Sequence, residues 1–110
     1  MPNSSKNDVI LVRYPFSDLS NSKIRPAVVV SAPHVSQDVF IAPLTSRTRG
    51  LLPGEFLLTD WNSAGLNVPT AVKGGIYTLH VTLILKVIGR LAHTDADQID
   101  HSLREWLGLQ

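Results

Sequence analysis

Turn chemistry interrupts every apolar stretch of this chain before the stretch can become a long helix. Val9–Tyr14 is β-branched and apolar and ends at Pro15. Residues 15–25 then carry Ser17, Asp18, Ser20, Asn21 and Ser22, which favour turns because short polar side chains bond their own backbone. Pro26–Ser31 holds Val28, Val29 and Val30, and Asp38–Leu44 holds Val39, Phe40 and Ile41. Both read as strands, and the three consecutive valines are a buried-strand signature. Glu55–Thr59 is a short strand between turn regions. Thr70–Lys73 and Ile76–Leu79 flank Gly74-Gly75 and read as one strand interrupted by a turn or bulge. Leu83–Leu91, broken at Gly89, reads as the last long strand.

The end of the chain has a different period. Ile99, Leu103, Trp106 and Leu107 recur at helical spacing and share one face. Thr94 is placed to cap that helix, with Asp97 three residues on, and Gly108 to stop it. The expected organisation is a single domain over 1–110, with a loose tail over 1–7, a small strongly bent sheet or barrel over 8–93 and a helix over 94–108. A mostly β chain with one closing helix fits a length of 110 residues, since ~100–150 residues is the usual size of one domain.

Composition narrows the function classes. The 44% hydrophobic share is too high for a disordered chain. Zero cysteines exclude a disulfide framework, a thiol nucleophile and a cysteine metal site. No apolar run reaches the ~18 residues a membrane helix needs, and the polar N-terminus lacks the apolar core of a signal peptide. A soluble, cytoplasmic protein is therefore expected. The net charge of +1 conceals an asymmetry: residues 1–90 carry nine Lys or Arg against five Asp or Glu, and residues 91–110 carry one against four. The first part is mildly basic, and the helix reads as a solvated acidic element. His34, His80, His93 and His101 show no metal-ligand spacing and read as scattered surface residues. Asp95, Asp97 and Asp100 read as helix-start acids, so no metal and no cofactor is expected.

Two segments carry residues suited to phosphate chemistry. Lys23-Ile24-Arg25-Pro26-Ala27 leads into the valine strand, and a loop-to-strand junction holds an arginine firmly. Arginine suits a phosphate because its planar fork stays charged and donates in parallel. Ala42-Pro43-Leu44-Thr45-Ser46-Arg47 sets two hydroxyls and a cation at a strand end, where side chains have a rigid base. Taken singly, each also reads as ordinary structure: a surface arginine at a strand entry, and a turn whose hydroxyls bond the local backbone.

The ordered combination is more specific. Asp8 to Ser20, then Arg25-Pro26-Ala27-Val28-Val29-Val30-Ser31, then Ala42-Pro43-Leu44-Thr45-Ser46, resembles the MazF/PemK toxin family. Ala64-Gly65-Leu66, Pro69-Thr70-Ala71-Val72-Lys73 and Ile88-Gly89-Arg90-Leu91 extend the resemblance to nearly the whole chain. It implies an SH3-like small barrel of the MazF/PemK/CcdB toxin type with a terminal helix, usually a homodimer. It implies a metal-independent, sequence-specific endoribonuclease that cleaves single-stranded RNA and is blocked by a cognate antitoxin. Arg25 matches the family's catalytic arginine, Thr45 its catalytic threonine, and Ser46 the neighbouring hydroxyl. The loop 16–24 matches the flexible loop over the groove. Asp18 is its titratable acid, and it lacks the Glu or His that some members place there.

RNA would need cations and stacking surfaces. Arg13, Lys23, Arg47, Arg49 and Lys73 lie on or beside the segments implied to line the groove. Phe16 and Trp61 are candidates to stack bases, Trp61 because a Gly- and Asn-rich turn should expose it, whereas Tyr77 is expected in the core. Two other readings remain open at this level. One is a non-catalytic barrel of the same fold that binds RNA or a protein partner. The other is a gyrase-poisoning toxin of the same fold group, acting through Trp106-Leu107-Gly108-Leu109.

Overall fold

The structure is a computed structural model and describes residues 4–14 and 23–109. Its strands are β1 (Asp8–Tyr14), β2 (Lys23–Val29), β3 (Asp38–Thr45), β4 (Phe56–Leu57), β5 (Ala71–Val72), β6 (Tyr77–His80) and β7 (Ile84–Arg90), followed by one helix, α1 (His93–Leu107). The sheet is antiparallel and runs β4-β5-β3-β2-β1-β7, with β6 also paired to β3. β3 is the pivot. Its first half pairs with β6 and its last two residues, Leu44 and Thr45, pair with β5, so the sheet bends along this strand. The mostly β architecture with a C-terminal helix is as the sequence leads one to expect.

The valine run is explained by two cores, one on each face of the sheet. Val9, Val28, Val30, Ala42 and Leu44 bury against α1 and the 58–66 loop. Ile10, Val12, Ala27, Val29, Val39 and Ile41 bury against β6 and the start of β7. Successive strand residues point to opposite faces, so a strand covered on both sides must be apolar without alternation.

Several boundaries differ from expectation. β2 starts at Lys23 rather than Pro26, because Tyr14, Arg13 and Val12 of β1 pair with Lys23, Ile24 and Arg25. Thr70–Lys73 and Ile76–Leu79 are not one interrupted strand; β5 and β6 lie on different halves of β3. The helix starts one residue early and its N-cap is Ala92, with no side-chain cap. Thr94 is therefore inside the first turn and does not cap. Gly108 does end the helix, at φ 70°, with its N–H directed at the carbonyls of Arg104 and Glu105. In the segment expected to be a loose tail, Asn7 N–H donates to Val29 O at 2.7 Å and Asn7 O accepts from Leu91 N at 3.0 Å. Lys6 also pairs with Asp100 on α1, at 2.8 Å.

The acidic helix is only partly solvated. Asp95 is buried at 1% exposure. Its carboxylate accepts from Thr59 N at 2.9 Å, from Thr59 Oγ1 at 3.0 Å and from Asp60 N at 3.2 Å. Two hydrogen bonds hold the other end of α1: Ser102 Oγ donates to Gly54 O at 2.6 Å, and Trp106 Nε1 donates to Pro53 O at 3.0 Å. Leu107, expected on the apolar face, is exposed because the barrel surface ends at Trp106. Among the described residues, no helix is long and apolar enough to cross a membrane.

Candidate functional site

Arg25 and Thr45 come from neighbouring strands. Ala27 of β2 pairs with Pro43 of β3, and Val29 pairs with Ile41. The β2–β3 pairing ends at Ala27–Pro43, and Arg25 and Thr45 each lie two residues beyond that last pair, on neighbouring strands. Both residues keep the pleat parity of Ala27 and Ile41, so both project to the same face of the sheet. Arg25 is exposed, with one guanidinium N–H directed at Ile24 O at 3.3 Å. Pro26 falls at a β-sheet position next to β1, opposite Leu11.

Thr45 closes β3 and is half-buried. Its Oγ1 accepts from Arg47 N at 3.0 Å. That bond turns the chain out of the strand and fixes the hydroxyl oxygen, while the hydroxyl proton remains available as a donor. The local-backbone reading of this turn and the phosphate-donor reading are thus compatible. Ser46 is exposed on the same turn.

A groove of about 220 Å³ opens beside Thr45. Arg47, Arg49, Leu52, Glu55 and Lys73 contribute to its walls. One wall is the loop between β3 and β4, and the other is the end of β5. Three of the expected cations therefore converge on one concavity with the candidate threonine. A wider, open hollow of about 480 Å³ lies over Arg47, Thr48, Arg49 and Gly50.

Glu55 is the residue the sequence reading missed. Its Oε1 accepts from Leu52 N at 2.8 Å and its Oε2 from Gly74 N at 2.7 Å. These two backbone donors, with the Lys73 charge nearby, hold its carboxyl below the usual range for a glutamate. Local sequence carried no signal for it, since one of its partners lies 19 residues away across the sheet.

The other expected site residues divide. Lys23 and Arg13 face each other's neighbours on the paired ends of β2 and β1, outside the groove lining, as does Arg25. Phe16 and Asp18 lie outside the described residues. Trp61 is not an exposed stacking surface: it is half-buried and packs against the core beside Leu58, Ala64 and Leu66. Its carbonyl accepts from Ala64 N and Leu66 N, so the turn folds inward around it. Tyr77 departs the other way. It is 43% exposed, because it opens a strand whose pairing partner is β3 alone and lies at the rim of the core. His34, His80, His93 and His101 are all exposed.

Comparisons with known proteins agree with this architecture. The sequence returns no match among curated proteins. Among solved structures, the Mycobacterium tuberculosis toxin MazF-mt6 superposes with a TM-score of 0.75 at 22% identity, covering 94% of this chain and 98% of that one. An endoribonuclease in complex with its cognate antitoxin from a mycobacterial species gives 0.76 at 21% identity, over 100% and 98% of the two chains. The MazE-MazF complex from Deinococcus radiodurans gives 0.78 at 16% identity, over 97% and 98%. At these identities the likeness is one of fold. Sequence supplies the membership: residues 5–107 match the family model, and the chain belongs to the PemK-like, MazF-like toxins of type II toxin-antitoxin systems.

Proposed function

We propose that this toxin is a metal-independent endoribonuclease that cuts single-stranded RNA at the Arg25–Thr45 face. The observation that carries the reading is the convergence of Thr45 with Arg47, Arg49 and Lys73 on one groove, with Arg25 two residues past the last β2–β3 pair on the neighbouring strand. The reaction is attack by a ribose 2′-oxygen on the adjacent phosphorus. The 2′-hydroxyl loses its proton, the new P–O2′ bond forms and the P–O5′ bond breaks. The departing 5′-oxygen takes up a proton, leaving a 2′,3′-cyclic phosphate and a 5′-hydroxyl.

Each residue has a role its chemistry fits. Arg25 stabilises the negative charge that builds on the non-bridging oxygens. Thr45 donates its hydroxyl proton to one of those oxygens, from an oxygen already fixed by Arg47 N. Ser46, next on the turn, donates to the same phosphate. Arg47, Arg49 and Lys73 hold flanking phosphates, and Lys23, Phe16 and Asp18 are further proposed RNA contacts. Glu55 is poorly suited to be the base, because a carboxylate held at low pKa binds a proton weakly. Solved relatives in complex with antitoxins, and the family's place in type II toxin-antitoxin systems, support a cognate antitoxin as partner; a homodimer acting on RNA in the cytoplasm completes the proposed reading.

The test is incubation with a long single-stranded RNA in EDTA, beside Arg25→Ala and Thr45→Ala proteins. Discrete fragments ending in cyclic phosphate, lost in both variants, are expected. RNA left intact by the folded parent protein would turn the reading to a binding module of the same fold.

A further inference from the structure

The groove has a carboxylate where its proposed ligand is a polyanion. A glutamate among Arg47, Arg49 and Lys73 repels phosphate, so its presence needs another account. Its bonds supply one. Oε1 is held by Leu52 N, on the loop that carries Arg47 and Arg49, and Oε2 by Gly74 N, next to Lys73. The two oxygens of one side chain thus join the two cation-bearing walls. The loop from which Glu55 springs is itself fixed from behind, since Trp106 and Ser102 of α1 hold the carbonyls of Pro53 and Gly54. The space beside Gly74 is closed as well: a Cβ there would lie 3.2 Å from Glu55 Oε2.

We propose that Glu55 is a positioning residue: it bridges the β3–β4 loop to the end of β5 and sets the spacing at which Arg47, Arg49 and Lys73 engage one nucleic-acid backbone. The bridge is a property of this fold, and its use in RNA binding rests on the endoribonuclease reading. Charge alone and positioning predict opposite signs. Replacing Glu55 by Gln removes a negative charge from a cationic groove, which by Coulomb's law tightens phosphate binding. It also replaces one acceptor by an NH₂ group facing a backbone N–H, which breaks the bridge and loosens binding. Glu55→Asp keeps the charge but is one methylene too short to reach both walls.

Binding is measured by fluorescence anisotropy with a single-stranded 2′-O-methyl oligonucleotide of mixed sequence, which lacks the nucleophile and survives the assay. Both variants are expected to bind about tenfold more weakly, the change that loss of one charge-assisted hydrogen bond gives. Asp95→Asn, which weakens the helix–loop junction away from the groove, serves as the structural control and is expected to bind as the parent does. Amide exchange gives a readout without nucleic acid: Leu52 and Gly74 N–H are expected to exchange about tenfold faster in Glu55→Gln. Equal or tighter binding by Glu55→Gln, parent-like binding by Glu55→Asp, or unchanged exchange at Leu52 and Gly74 would overturn the proposal. A parent that neither binds the oligonucleotide nor cuts long RNA would instead overturn the nuclease reading, and the exchange result would then decide the bridge by itself.

Discussion

Asp95 and Glu55 are both carboxylates that accept two or more backbone bonds, yet burial separates what they do. Asp95 is closed off at 1% exposure, although its partners Thr59 and Asp60 sit on an exposed turn. Asp95→Ala removes the hydrogen bonds that tie α1 to the 59–60 turn and is expected to cost about 1–2 kcal/mol, since water can take up the freed donors, read as a lowered urea midpoint at unchanged slope. Thr94→Ala, at an exposed position that caps nothing, is expected to stay within about 0.5 kcal/mol of the parent in the same titration. Glu55 gives a pH signature instead. Its carboxyl is held below its unfolded value, so its contribution is complete above about pH 4.3 and disappears as pH falls through the folded pKa. Stability should therefore fall less steeply in acid for Glu55→Gln than for the parent, as compared by urea midpoints between neutral and acid pH.

At the scale of elements, two close approaches decide which segments can sit together. The turn after Trp61 crosses β7 where Gly65 meets Gly89: a Cβ on Gly89 would lie 2.2 Å from Ala64 O, and one on Gly65 would lie 2.1 Å from Ile88 O. Backbone cannot yield as a flexible side chain can. Gly89→Ala is expected to destabilise the protein by about 2–3 kcal/mol, measured by thermal unfolding, by pushing the 61–66 turn off β7. Gly89 reads in the sequence as a break in a strand, but β7 continues through it to Arg90. The register against β1 does shift beside it, between Val9–Gly89 and Ile10–Val87, and the glycine also makes room for a neighbour. A similar long-range effect divides β5 from β6. Gly74-Gly75 suggested an interruption, and the pairing of the two strands to opposite halves of β3 made it a complete separation.

At the scale of the molecule, the charge asymmetry acquires a direction. Three cations of the basic part, Arg47, Arg49 and Lys73, meet at the groove, and the acidic helix uses Asp95 and Asp100 to hold the barrel, through Thr59, Asp60 and Lys6. With Arg25, Arg47, Arg49 and Lys73 as the phosphate contacts, RNA binding should weaken with a log–log salt slope of about −3, taking about 0.7 per contact for a single strand. Lys73→Ala should bring the slope nearer zero by about 0.7 and weaken binding alike for all RNA sequences. Affinity measured across a salt series checks both, and a parent slope near zero would contradict an RNA groove.

The sequence by itself determined the strand-rich class, the closing helix and the family, because hydrophobic period, turn residues and the ordered Arg-Pro-Ala and Pro-Leu-Thr-Ser segments are local signals. It also placed Thr45, Arg47, Arg49 and Lys73 among the candidates that converge on one groove. Tertiary structure alone decided that Trp61 turns inward and Tyr77 outward, since burial depends on which distant segment covers a side chain. It alone made Asp95 a buried clamp and Glu55 a bridge. Their partners stand 36 and 19 residues away, and hydrogen bonds across such separations follow from how the sheet bends rather than from any spacing along the chain.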